Sequence, residues 1–520
     1  MQRTISSINK LFLTALAIIA LSASNALAQS ESADPQPLTL NEAIRLALEN
    51  NNDIRTSRID VEKAEFDLTA KRGAYDPQLF SENYFERVAT PVGSFFGNTN
   101  GSMTTRDFTS RAGLSGLAPK GGGSYQIDLS HIRYSSDNVF NGLNPNGNTS
   151  SISASYTQPL MRGLKTDDTR RRIDIAKKNL TLTDVQFRQR ATDVITHVEH
   201  AYWELVHALK NLQVQNEAVK QTRAQVETNK RQVAQGVLAP IDVVEAEAQV
   251  KIYEQAVYAA QEDVTKTENA LKTLLLADRT AALWSRSLLP VTPVNLEAPH
   301  VPLNDAVNMA LENRFELAEL RTSKDINDIN KRFYRDQTKP QLDVMASYTS
   351  NADGPAWMNM LGQNSPAVRV GVRISLPLKN RTAKAEYGGS LAEGRRIESV
   401  RAQTEQQIEA EVRNAIQRVR SVEASMSAAA AQREAAEQQY TSEQRKFQAG
   451  MSTVFLVLQR QTDLVTARGR ELETQTDLNK AISEFQRATG NTFRYRNVAV
   501  IQDGLRLQQT EDTQAKAGQQ

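Results

Sequence analysis

Gln235-Gly236-Val237-Leu238-Ala239-Pro240 separates two long runs of helical period, and the fold follows from what flanks it. Before it, Ala191, Val198, Leu205, Leu212, Val219, Val226 and Val233 recur every seven residues; after it, Val243, Val250, Val257, Val264 and Leu271 do the same. A strict seven-residue apolar repeat is the period at which two helices keep one seam facing each other. The first run begins near Thr169 and holds no proline before Pro240. At 1.5 Å per residue such a run predicts a rod of roughly 100 Å. Gly236 can take the left-handed conformation that ends a helix, and Pro240 suits the first turn of the next one. The expected element is an antiparallel helical hairpin with a small tip.

The same plan occurs twice. Leu40-Asn41-Glu42-Ala43-Ile44-Arg45-Leu46-Ala47-Leu48-Glu49-Asn50 matches Leu303-Asn304-Asp305-Ala306-Val307-Asn308-Met309-Ala310-Leu311-Glu312-Asn313, and Pro77-Gln78-Leu79 matches Pro340-Gln341-Leu342 at the same offset. Further on, Gln158-Pro159-Leu160 corresponds to Leu376-Pro377-Leu378 and Gln235-Gly236 to Ala449-Gly450. Such self-similarity marks a repeated structural unit. The second copy keeps the seven-residue step in Ile408, Ala415, Val422, Ala429 and Ala436 and again in Val457, Leu464, Leu478 and Phe485, where Glu471 interrupts.

Between the short opening helices and the long ones the period changes to two. Val368, Val370, Val372, Ile374 and Leu376 alternate with Ala367, Arg369, Gly371, Arg373 and Ser375, an apolar face set against a polar one. Leu342, Val344, Ala346 and Tyr348 repeat this more weakly. A half-buried sheet in a soluble domain would show such alternation, and so would a strand of a membrane barrel. The first copy is longer here: Pro77 and Pro159 lie more than twice as far apart as Pro340 and Pro377. The excess reads as a further strand pair, Phe108 to Leu117 and Ser124 to Tyr134, joined at Pro119-Lys120-Gly121-Gly122-Gly123. Two added crossings preserve the direction of the chain. Six strands are therefore expected, the alternative being four with an extra hairpin outside the membrane.

The resulting layout is a signal peptide over 1–28, a first repeat over 29–302 and a second over 303–505, then a disordered tail over 506–520. The first repeat comprises a short helix, a β section at 77–160, a helical hairpin at about 164–276 and a belt segment at 277–302. The second comprises a short helix, a β section at 340–378, a hairpin at about 381–488 and a belt segment at 497–505. The signal reading rests on Arg3 and Lys10, the apolar core Leu11 to Leu21, and Ala26-Leu27-Ala28 as the cleavage site. Its apolar run is short for a helix that spans a bilayer. With no cysteine, the chain has neither a disulfide nor a thiolate metal site. The 62 basic and 60 acidic residues nearly cancel, so the overall charge gives no reason to expect a nucleic-acid partner.

Taken in order, these features resemble the TolC-like outer-membrane efflux proteins over nearly all of the mature chain. The resemblance is carried by the paired Leu-Asn-Glu/Asp-Ala openings, Thr157-Gln158-Pro159-Leu160-Met161-Arg162-Gly163, Gln235-Gly236-Val237-Leu238-Ala239-Pro240-Ile241-Asp242-Val243-Val244, and Phe447-Gln448-Ala449-Gly450-Met451-Ser452-Thr453. It implies an α+β membrane protein in which a long antiparallel coiled-coil helical barrel joins a transmembrane β-barrel shared by three chains. It further implies a homotrimer in the cell outer membrane, set in outer-membrane lipid, with its helical domain in the periplasm. The implied partners are a periplasmic adaptor (membrane fusion) protein and an inner-membrane transporter, and the implied role is efflux or type I secretion. Closure by three chains also agrees with the cost of open strand edges in lipid.

By that resemblance the adaptor would dock at Gly236, Val237 and Leu238 on one tip and at Gly450, Met451 and Ser452 on the other; both glycines also serve simply to end helices. Acidic rings in the family place a tunnel gate at Asp242 and Glu245. The second copy departs, with Leu456 and Gln459 at the corresponding positions, so a gate there would rest on Phe455 and Leu456. Asp242 also suits a first-turn carboxylate favouring the helix N-terminus.

Catalytic chemistry has no visible carrier: there is no H-E-x-x-H, P-loop or G-x-S-x-G. His197, His200, Glu204 and His207 share a helical neighbourhood, but a di-iron site needs a second Glu-x-x-His pair plus two more carboxylates, and the only other histidines are His131 and His300. His and Glu on a long helix are more commonly solvated surface residues. No cofactor is expected. Arg170-Arg171-Arg172 reads as a solvated charge run, or as a contact for lipid phosphate or the lumen. A soluble periplasmic coiled-coil scaffold is the alternative to the duct.

Overall fold

A computed structural model describes residues 35–91, 102–136, 146–353, 365–501 and 504–507. The signal peptide at 1–28 and tail residues 508–520 lie outside these.

The chain runs β1 (Gln36–Leu38), α1 (Leu40–Asn50), α2 (Asn52–Arg72), β2 (Gln78–Pro91), β3 (Ser102–Leu117), β4 (Ser124–Ser136), β5 (Gly147–Pro159), α3 (Asp168–Ala234), α4 (Pro240–Leu275) and β6 (Leu288–Pro290). It continues through α5 (Leu303–Asn313), α6 (Phe315–Gln337), β7 (Gln341–Asp353), β8 (Ser365–Ser375), α7 (Arg381–Gln448), α8 (Val454–Ala488), α9 (Thr492–Tyr495), β9 (Val498–Ile501) and β10 (Gly504–Leu507). The second half repeats the first: two helices, strands, a long helix and a shorter one. Among the described residues no helix is long and apolar enough to cross a membrane.

Two compact units form, and neither is a repeat. One gathers the described parts of residues 1–56, 189–314 and 407–520, the other residues 57–188 and 315–406. Each draws on both repeats, because a helix seam is buried only against a partner.

In the first unit the seven-residue seams are the core. Ala191, Val198 and Leu205 on α3 and Leu271 on α4 are completely buried, as are Ile408 and Leu478 to within a few per cent. Burying such a side chain contributes roughly 1.5–3 kcal/mol. Glu471 does not break the α8 seam: Arg433 of α7 meets its carboxylate at 2.9 Å. The connecting segment after α4 is pinned rather than loose. β1 pairs in parallel with β6, Tyr202 donates its hydroxyl to the Leu38 carbonyl at 3.0 Å, and Asn295 and Asn479 exchange hydrogen bonds at 3.2 and 2.9 Å. β9 and β10 form an antiparallel pair in which Arg506 and Leu507 oppose Ala499 and Val498. These two residues, assigned above to the tail, are therefore paired backbone.

The second unit is built on one six-stranded antiparallel sheet in the order β2-β3-β4-β5-β7-β8. The β3–β4 hairpin, the excess of the first copy, pairs on both sides, Leu114 with Leu79 and Ile127 with Ala154. Residues directly paired across strands share a face. Val368, Val370 and Val372 thus line up with Tyr348, Ala346 and Val344, and the same face continues through Tyr156, Ile127, Leu114 and Leu79. Val368 is 73% exposed and Leu79 84%. The opposite face is polar: Arg111 grips Asp128 through two hydrogen bonds of 3.0 and 3.1 Å, and Asp128 also accepts from Gln126.

α2 and α6 have no counterpart in the sequence reading. On α2, Ile59 is 61% exposed and Phe66 65%, whereas Leu68 is buried against Ile173 and Ala176 of α3. Apolar side chains scattered around a helix leave no single stripe to read.

Candidate functional site

The two hairpin tips end their helices by the same device. Gly236 has φ 73° and Gly450 φ 72°, the left-handed conformation that costs glycine nothing. At the first tip Val237 N–H bonds to Gln232 O at 2.9 Å and Gly236 N–H to Val233 O at 2.9 Å. At the second, Met451 N–H bonds to Lys446 O at 2.8 Å and Gly450 N–H to Phe447 O at 3.0 Å. These paired bonds satisfy carbonyls that a helix end otherwise leaves open.

Capping in this way turns one side chain at each tip outward. Val237 is 69% exposed and Met451 73%. Leu238 turns inward and joins the core that unites the tips, made of Val226, Ala246, Val250, Phe447, Val454, Val457 and Leu458. Ser452 donates its hydroxyl to Glu443, and this bond holds the Glu443 carboxyl below its ordinary range. Thr453 then caps α8, accepting from Leu456 N–H at 3.4 Å.

The other expected residues occupy the first turns of the outgoing helices. Asp242 accepts the Ala239 N–H at 3.1 Å and so closes the start of α4. Glu245 is half-buried, and Phe455 and Leu456 on α8 are 56% and 39% exposed.

Sequence reading missed the polar contacts below the tips. Gln461 donates to Thr222 Oγ1 at 2.9 Å, and Thr462 meets Tyr253 Oη at 3.1 Å. A signal existed: Thr222 lies between Val219 and Val226, and Gln461 between Val457 and Leu464, each a polar residue on an apolar stripe. Higher in the same unit, Glu204 pairs with Lys480, and His200 Nε2 lies 3.6 Å from Glu484. Burial lowers the His200 pKa against the opposing pull of Glu484. Among the described residues no group of three or more His, Cys, Asp or Glu side chains is placed to hold a metal.

In the second unit the Thr157–Gly163 motif is a junction where β5 leaves the sheet. Gln158 donates to Gly121 O at 2.7 Å, Arg162 to Gln341 Oε1 at 2.6 Å, and Gly163 N–H to Asp336 at 2.7 Å. The arginine run beside it is engaged locally. Arg170 pairs with Asp167 at 2.6 Å, Arg171 lies 4.4 Å over the Phe333 ring, and Arg172 pairs with Asp168 at 2.6 Å.

A family model described as outer membrane efflux protein matches residues 124–275 and 306–491. No protein with a curated description matches the sequence. Among solved structures, the Campylobacter jejuni CmeC outer membrane channel is 16% identical with a TM-score of 0.63, covering 87% of this chain and 86% of its own. The Neisseria gonorrhoeae MtrE outer membrane channel, in its open state, is 16% identical with a TM-score of 0.61, covering 87% and 89%. The Vibrio cholerae outer membrane protein VceC is 15% identical with a TM-score of 0.60, covering 87% and 96%.

Proposed function

The chain belongs to the outer membrane efflux protein family, and from that premise we propose that it is the exit duct of a three-part export machine. It is an outer-membrane efflux channel with a periplasmic helical domain. As a homotrimer without an energy source of its own, it serves efflux or type I secretion by engaging a periplasmic adaptor and, directly or through it, an inner-membrane transporter.

The observation that carries this reading is the six-stranded sheet, with an exposed apolar face, a polar opposite face and two edges, β2 and β8, that are unpaired among the described residues. Lipid tolerates no open edge, since each unpaired N–H or C=O there costs several kcal/mol. Pairing β8 of one chain with β2 of the next removes both edges and turns the polar face into a lumen. A soluble scaffold would leave Val368, Val370, Val372 and Ile374 facing water.

The tips are the adaptor-docking surface. Val237 and Met451 offer apolar side chains on rigid caps, flanked by Gly236, Leu238, Gly450 and Ser452. Asp242, Glu245, Phe455 and Leu456 form the constriction at the tunnel mouth. Outer-membrane fractionation, followed by light scattering of the extracted protein, tests the duct: recovery at three times the chain mass is expected, and a soluble monomer overturns it. Val237→Asp combined with Met451→Asp tests the tips. The trimer should still insert, while export and adaptor crosslinking are lost; normal export by this variant removes the docking assignment.

A further inference from the structure

We propose that the lipid-facing side of β2–β4 carries a binding site for a phosphorylated lipid of the outer leaflet, formed by Arg87, Arg106 and Arg133. The argument rests on strand register and on the outer-membrane placement of the sheet, not on the tip assignment.

On the apolar face, successive cross-strand rows change character from the helix-connected end of the strands toward the other end. Leu79, Leu114, Ile127 and Ala154 form one row, and Ser81, Ala112, Leu129 and Ile152 the next. Asn83, Ser110, His131 and Ser150 follow, joined laterally where Ser110 donates to Asn83 at 2.6 Å and His131 meets Ser150 at 2.9 Å. Phe85, Phe108 and Arg133 come next, and Arg87 directly opposite Arg106 after them. Apolar surface thus gives way to hydroxyls, then to two phenylalanines, and then to three cations. Because the helices lie in the periplasm, this end is the cell-exterior end.

Among the described strand residues the acidic side chains lie on the polar face, and the only charges on the apolar face are cations. Glu86 stands opposite Asp107 on the polar face, one residue from Arg87 opposite Arg106 on the apolar face. Like charges paired directly across strands destabilise a sheet. All three arginines are exposed, and among the described residues none of their guanidinium groups has an ion-pair or hydrogen-bond partner. An anion held between them relieves that repulsion. Guanidinium forks match phosphate oxygens, and Phe85 and Phe108, 63% and 45% exposed, lie beside them as a surface for acyl chains. A free phosphate uses only the first feature; a phosphorylated lipid uses both.

The test measures binding of lipid A by the full-length trimer in detergent, with phosphatidylcholine and inorganic phosphate as competitors. Apparent affinity should fall about fivefold for each arginine replaced by glutamine, roughly a hundredfold for the triple variant. The triple lysine variant, which keeps the charge but not the fork, should bind more tightly than the triple glutamine variant and more weakly than the unaltered protein. Arg369→Gln with Arg373→Gln, on the opposite face, should leave binding unchanged. Equal binding by the triple glutamine variant, equal loss in the opposite-face variant, or full displacement by inorganic phosphate each overturns the proposal. If the triple variant fails to assemble, the three single variants supply the same comparison.

Discussion

Gln461 and Thr222 meet in a fully buried hydrogen bond, the Gln461 amide donating to the Thr222 hydroxyl at 2.9 Å while that hydroxyl donates to Ala218 O at 2.8 Å. The two residues come from different repeats, Thr222 from α3 and Gln461 from α8. This polar pair inside an apolar seam sets how the second repeat's returning helix registers against the first repeat's ascending one. Removing the Thr222 hydroxyl alone leaves the buried Gln461 amide without this partner, at a cost of about 1–3 kcal/mol, whereas without Gln461 the hydroxyl keeps its bond to Ala218 O. Thr222→Val should therefore destabilise the helical region, whereas Thr222→Val combined with Gln461→Leu should recover most of the loss. Thermal melts of the two variants beside the unaltered protein check this; equal melting of the single and double variants would remove the pairing argument.

Within the chain itself, the tip glycines are required by backbone conformation and not by close packing. A Cβ at Gly236 or Gly450 meets nothing within 4 Å, so alanine there is expected to cost only the left-handed conformation, about 1–2 kcal/mol. Gly490, which ends α8 with φ 69°, is different, because a Cβ there would lie 2.9 Å from Asn313 Cβ and 3.0 Å from its carbonyl carbon. Gly490→Ala should lower the melting temperature clearly more than either tip substitution.

Acidification should weaken the helical region through His200. Burial holds its pKa below the ordinary 6.5, outweighing Glu484 at 3.6 Å, a hydrogen bond to the Lys480 backbone and the more weakly felt Glu199, all of which pull it up, while the Lys480 charge adds to the lowering. The unfolded chain then binds the proton more readily than the folded one. Stability is fully present above the unfolded value and is lost as pH falls from there through the lower folded one. His200→Gln should flatten the decline in melting temperature between pH about 7.5 and about 5.5. A decline unchanged by the substitution would assign it to other groups.

The β3–β4 hairpin should set the width of the outlet. β2 and β5 run antiparallel, so joining them directly leaves four strands per chain in a sheet that still alternates. Barrel diameter grows with strand number. The shortened protein should form trimers of lower single-channel conductance in planar bilayers. Unchanged conductance would show that the constriction proposed at the hairpin tips, and not the barrel, limits flow.

Much of this was legible in residues alone because helix and strand periods are local. Seven-residue spacing marked Ala191 through Val226 as a buried seam, and alternation in 368–376 separated an apolar face from one bearing Arg369 and Arg373. Duplicated motifs exposed two repeats, and Gly236 and Gly450 marked the tips because left-handed backbone favours glycine. α2 stayed hidden because its apolar residues spread around the helix, as Ile59 and Phe66 do; α6 carries an apolar side, with Leu317 and Ile329 buried, so there the signal was present in the sequence.

Tertiary structure decided what depends on long-range register. Glu471 reads as a fault in a heptad until Arg433 arrives from another helix, and Arg87, Arg106 and Arg133 become neighbours only once three strands align. Nor do the compact units follow the repeats. The physical reason is one of range: a period is dictated by backbone geometry within a few residues, whereas register is selected by burial and pairing summed over elements hundreds of residues apart.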